Sequence, residues 1–143
     1  MTIRPRAVRA LREARERLRD AAAASHAVAT AARDQHHIAL VREQDALEEY
    51  LAEANDILAA ATNVHDLSTV GDITGVFKLE VADAATRYEQ ASAAADASAD
   101  QLRDKSRLLR RAEKLVERVT QERAKTDAKL EQRVHDDLST RKK

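Results

Sequence analysis

The sequence predicts an all-α fold: two long helices in an antiparallel coiled-coil hairpin. Three observations predict it. The 143 residues are 35% charged and only 2% aromatic, with one proline and no cysteine, the composition of long helices rather than of a compact globule. Apolar residues recur in two separate runs at alternating steps of three and four, the a/d seam of a coiled coil. The only two glycines, Gly71 and Gly75, fall between those runs.

The first helix is expected over residues 3–61. Thr2 can cap it and Pro5 suits its first turn, where the missing N–H costs nothing. Its seam reads Leu11, Ala14, Leu18, Ala21, Ser25, Val28, Ala32, His36, Leu40, Gln44, Leu47, Leu51, Ala54, Leu58 and Ala61. Two successive steps of four around His36 form a stutter. Residues 62–76 are expected to form the turn, because Thr62, Asn63, Asp66, Ser68 and Gly71 cluster there. Thr69 with Asp72 fits a capping box for the second helix, with Ser68 a competing cap. That helix is expected over residues 77–139, or from before Gly71 if those caps are used and Gly75 is tolerated as a weak point. Its seam runs without interruption through Phe77, Val81, Ala84, Tyr88, Ala91, Ala95, Ser98, Leu102, Lys105, Leu109, Ala112, Val116 and Val119. A turn centred near residue 69 pairs Ala61 with Phe77, Leu51 with Tyr88, His36 with Leu102 and Val28 with Leu109. Only the phase of such pairs is informative, since any two heptads in phase keep a constant register sum. Neither helix sustains this seam alone in water.

Enzymatic chemistry has no foothold. There is no Gly-rich phosphate loop. His36 and His37 are neighbours pointing about 100° apart on a helix, and His26, His65 and His135 have no partners at metal-ligand spacing, so no metal site and no cofactor are expected. A two-helix rod offers no water-excluding pocket. The Arg-rich N-terminus lacks the apolar core of a secretory leader, no apolar run is long enough to span a membrane, and the absence of cysteine fits a reducing compartment, which together predict a cytoplasmic protein.

Charge is the second signal. The net charge is zero, yet residues 1–19 carry seven arginines against two acids, residues 20–102 carry four basic against fifteen acidic groups, and residues 103–143 carry fourteen against eight. A hairpin therefore places a basic terminal end opposite an acidic middle and turn. Nucleic acid is not the expected partner of that end, because no aromatic residue lies nearby for stacking and Glu13 and Glu16 interrupt the run. An acidic protein surface fits better. Near the turn, Tyr50, Leu67, Val70, Ile73 and Val76 are not all absorbed by the seam. All three aromatic residues, Tyr50, Phe77 and Tyr88, lie in the turn-side half, where they serve either as interface anchors or as a cap on the hairpin's own core.

The layout resembles the FliJ/YscO family of type III export stalk proteins over nearly the whole chain. The resemblance rests on the basic N-terminal helix, on HDLSTVGDITGVF at 65–77, and above all on RRAEKLVERVTQERAKTDAKLEQRVHDDLSTR at 110–141. It implies a non-enzymatic stalk similar to the coiled-coil part of the rotary ATPase gamma subunit, at the cytoplasmic face of the secretion apparatus. It also implies two partners. The hexameric export ATPase would meet the basic end through Arg9, Arg12, Arg15, Arg19, Arg110, Arg111, Lys114 and Arg118. The cytoplasmic domain of the export gate would meet Tyr50, Phe77 and Tyr88, and export chaperones are a further partner class. Between the flagellar and injectisome branches these residues do not decide, although the divergent C-terminal stretch leans toward the injectisome. A structural coiled-coil adaptor or oligomerisation module without ATPase coupling is the alternative reading.

Overall fold

A computed structural model describes residues 4–60 and 63–142. It contains two helices, α1 (Pro5–Ala60) and α2 (Val64–Arg141), and no strand among the described residues. Arg4 precedes α1 as its cap residue, its carbonyl accepting the N–H groups of Ala7 at 3.0 Å and Val8 at 3.3 Å. Pro5 occupies the first helical position, as its fixed φ favours. The expected caps and ends at Thr2, Ala61 and Thr62 lie outside the described residues. None of the described helices is long and apolar enough to cross a membrane.

The start of α2 differs from expectation. It begins at Val64 rather than near residue 77, and from Val64 onward the segment read as a turn is helical. The working cap is Asn63, whose Oδ1 accepts the N–H of Asp66 at 2.9 Å, while Asp66 sets a carboxylate against the positive end of the helix dipole. Thr69 caps nothing: its hydroxyl donates to the His65 carbonyl one turn back, at 3.0 Å. Gly71 and Gly75 both lie within the helix with negative φ. Each helical glycine costs about 1 kcal/mol relative to alanine. Packing offsets that cost, because the α2 seam continues upstream through Thr74 and the buried Val70.

The chain divides into two compact units, one formed by residues 24–100 and the other by residues 1–23 with 101–143. In the first, α1 and the N-terminal part of α2 pack antiparallel. Tyr50 stacks on Phe77 with ring centroids 4.9 Å apart, His37 meets Tyr88 at 5.3 Å, and His26 Nδ1 lies 2.9 Å from Ser98 Oγ. The paired residue numbers total 127, 125 and 124, against 137 to 139 for the expected register. The pairing is thus displaced by about two heptads, and its α1 members Tyr50, His37 and His26 stand one residue beside the expected seam positions Leu51, His36 and Ser25. The reason is the early cap at Asn63, which brings the second strand of the pair into helix some thirteen residues sooner than residue 77.

The α2 seam matches expectation at every position. Phe77, Val81, Ala84, Tyr88, Ala91, Ala95 and Ser98 are buried or half-buried in the first unit, as are Leu102, Lys105, Leu109, Ala112, Val116 and Val119 in the second. The α1 seam matches only in part. In the first unit the shielded positions include His26, Ala29, Arg33, His36, Leu40, Glu43, Leu47, Tyr50 and Ala54, which alternate three and four with no stutter. Val28 is 71% exposed, and Ser25, Gln44, Leu51 and Leu58 are exposed as well. In the second unit Val8, Arg15, Arg19 and Ala22 are shielded, whereas Leu11, Ala14, Leu18 and Ala21 face solvent. A stutter requires local unwinding. In the first unit the Leu40–Ala54 stretch sets the phase against an uninterrupted α2 seam; in the second, Arg15 and Arg19 are half-buried.

Two polar seam contacts show how these positions are satisfied. Ser98 is buried and its hydroxyl donates to the Ala95 carbonyl at 2.7 Å. Having one proton, it must accept from His26, which is therefore the Nδ1–H tautomer. Arg33 keeps its stem in the seam and directs its guanidinium to the exposed Asp34 carboxylate, 3.2 Å away.

Candidate functional site

The basic candidates belong to the unit formed by residues 1–23 and 101–143. Four of them sit on α2. Arg110, Arg111, Lys114 and Arg118 are all exposed, and Arg111, Lys114 and Arg118 surround Leu115 in a shallow groove of about 240 Å³. Their spacing of three and four residues puts them on one helical face, so the helix itself holds three cations around an apolar floor. No acidic side chain lines that groove.

The four on α1 divide differently. Arg9 is exposed and, with Pro5, Val8, Val116, Val119 and Arg123, borders a second groove of about 240 Å³ where α1 begins against α2. Arg123, one heptad step beyond Val119, was not among the sequence candidates; its seam spacing was the signal that could have found it. Arg12 is exposed and 4.0 Å from Glu16, a weak pair one turn away. Arg15 and Arg19 are half-buried against α2. Arg19 Nε lies 2.9 Å from Asp20 Oδ1, off the line that a hydrogen bond requires, and has no hydrogen-bond partner although it is buried. Arg15 and Arg19 are therefore seam residues as much as surface charges. Beyond Thr120 every described residue of α2 is exposed, Leu130, Val134 and Leu138 among them.

The aromatic candidates belong to the other unit. Tyr50 and Phe77 are brought together by the cross-helix stack, with interplanar angle 22°. Tyr88 lies apart from them, against His37. All three are half-buried and spend one face on their own chain. Apolar surface that reaches solvent comes instead from Ile57, Val64, Leu67, Ile73, Val76 and Leu79. Of these, Leu67, Ile73 and Val76 were singled out from sequence; Val70 is buried. Ten carboxylates and a single lysine lie between Glu43 and Asp83, so this apolar surface has an acidic setting.

Among the described residues no three histidine, cysteine or carboxylate side chains come together as a metal site. His36 lies in a groove with Glu43, Glu80, Asp83 and Arg87.

The family model described as the flagellar FliJ protein matches residues 6–142. No curated protein and no solved structure matches the chain.

Proposed function

Because the chain belongs to the flagellar FliJ family, a component of the flagellar export apparatus, we infer that it is the non-enzymatic central stalk of that apparatus. It works in the cytoplasm and binds the hexameric export ATPase through its basic end. The observation that carries this reading is the trio Arg111, Lys114 and Arg118 around Leu115. Solvated cations around an apolar floor suit an acidic protein surface with a central apolar anchor, and the charges steer approach and orientation more than they add affinity. Arg110, Arg9 and Arg12 extend the same basic field.

The opposite role falls to the turn-side surface, which meets the cytoplasmic domain of the export gate. Tyr50, Phe77 and Tyr88 organise that surface from within, and Leu67, Ile73, Val76 and Leu79 supply its exposed apolar area.

The test is ATP hydrolysis and hexamer formation by the export ATPase of the same genome, with and without this protein. The control is a variant carrying Arg110→Glu, Arg111→Glu, Lys114→Glu and Arg118→Glu, positions whose exposure spares the fold. A gain in rate or assembly that the variant loses supports the stalk reading. No effect and no co-elution, even at low salt, refutes it.

A further inference from the structure

Two heptad seams lie side by side on α1 in the unit formed by residues 1–23 and 101–143. One faces α2 and comprises Val8, Arg15, Arg19 and Ala22. The other comprises Ala7, Leu11, Ala14, Leu18 and Ala21, also at alternating steps of four and three, and every member is exposed, Leu11 by 39% and Leu18 by 45%. We propose that this second seam is a docking strip for an amphipathic α-helix with acidic flanks, supplied by a partner protein.

The strip has coiled-coil width. From Leu11 to Leu18 only the a and d positions are apolar, which suits knobs-into-holes packing with one more helix and is too narrow for the broad apolar face of a membrane-surface helix. With Leu11 and Leu18 at a, and Ala14 and Ala21 at d, the e and g positions of the central heptad are Arg15 and Arg17, while Val8 and Ala22 at e and Ala10 at g are uncharged. Glu13 and Glu16 occupy c and f, away from the strip. Flanking e and g charges select the partner of a coiled coil, and two arginines there select glutamate or aspartate. The surrounding helix reinforces this, with seven arginines against two glutamates up to residue 19. A second copy of this chain is the poorer occupant, because an isologous contact sets Arg15 and Arg17 against themselves. The alanines at d let the incoming backbone approach closely, and the two leucines supply the anchors.

The test uses the full chain and a fluorescent peptide of three heptads with Leu at a and d and Glu at e and g. A control peptide carries Lys at e and g, and the protein variant is Leu11→Gln/Leu18→Gln. The expected results are saturable binding of the Glu peptide, at least tenfold weaker binding by the variant, no binding of the Lys peptide, and an unchanged unfolding midpoint for the variant. Equal binding by wild type and variant reduces the effect to bulk charge and overturns the proposal. So does a Glu peptide that does not bind. A fall in the variant's midpoint overturns it as well, since the leucines would then be packed within the chain. Leucine-dependent self-association, or leucine-dependent binding to anionic vesicles without peptide binding, replaces the acidic helix with another occupant and equally refutes it. No ATPase enters the assay, so failure here leaves the stalk reading standing on its own test.

Discussion

The cross-helix pair Tyr50–Phe77 gives the sharpest test of register. Truncating a fully buried aromatic side chain to alanine costs about 3–5 kcal/mol. Tyr50 and Phe77 are half-buried, so Tyr50→Ala and Phe77→Ala should each cost about 2 kcal/mol. The Tyr50 hydroxyl adds little, since its contact to the Val70 carbonyl is 3.5 Å long. The informative quantity is the coupling. Stacked rings at 4.9 Å should give the double mutant about 0.5–1.5 kcal/mol less destabilisation than the two singles combined. In the register expected from the heptads alone, Phe77 faces residue 61, eleven residues from Tyr50 and about 16 Å away along the helix. The two losses would then add within about 0.3–0.5 kcal/mol. Urea unfolding of the four proteins, followed by far-UV circular dichroism, measures the cycle. A coupling below about 0.3 kcal/mol refutes the observed pairing, even if both single variants are destabilised.

Other perturbations follow from the same contacts. Gly71→Ala and Gly75→Ala should each stabilise by about 0.5–1 kcal/mol, because a Cβ at either site meets nothing within 4 Å and both residues are helical; a lower unfolding midpoint would mean that the segment is not helix. Asn63→Ala should cost about 1 kcal/mol by removing the cap on the Asp66 N–H, whereas Thr69→Ala should cost no more than a few tenths, and the reverse order would restore the cap to Thr69. Ala95 is 2% exposed, so Ala95→Leu should lose about 1–3 kcal/mol through overpacking, while the same change at the exposed Ala94 should be near neutral; equal effects would contradict the seam. Ser98→Ala should cost about 0.5–1.5 kcal/mol by removing the hydrogen bond to the half-buried His26, read from the same denaturation curves; no loss would mean the contact contributes nothing to stability.

Which positions of α2 face inward was legible in the sequence because they form one unbroken heptad of mostly apolar or small side chains from Phe77 to Val119. Pro5 at the helix start was legible for an equally local reason, its fixed φ. The family resemblance was legible too, in the basic N-terminal helix and the stretches at 65–77 and 110–141, and the family match over residues 6–142 bears it out. None of these requires knowing what lies across the interface.

The α1 seam and the register required exactly that knowledge. Leu11, Leu18 and Val28 outscore Arg15, Arg19 and Arg33 on apolarity, yet a helix cannot rotate its two halves independently without a stutter. Leu47, Tyr50 and Ala54 hold the phase for the residues before them within the unit 24–100, Arg33 included, and the half-buried arginines keep their charged heads toward water. Likewise Gly71 and Gly75 argue locally for a turn, but the Asn63 cap and the burial of Val70 outweigh them. Heptad phase survives a slip of whole heptads, so the sequence by itself determined that two long helices would pair and which face of α2 would be used. Only the tertiary structure decided which residues meet, because register depends on where the helix starts and on the cooperative choice of one undistorted seam.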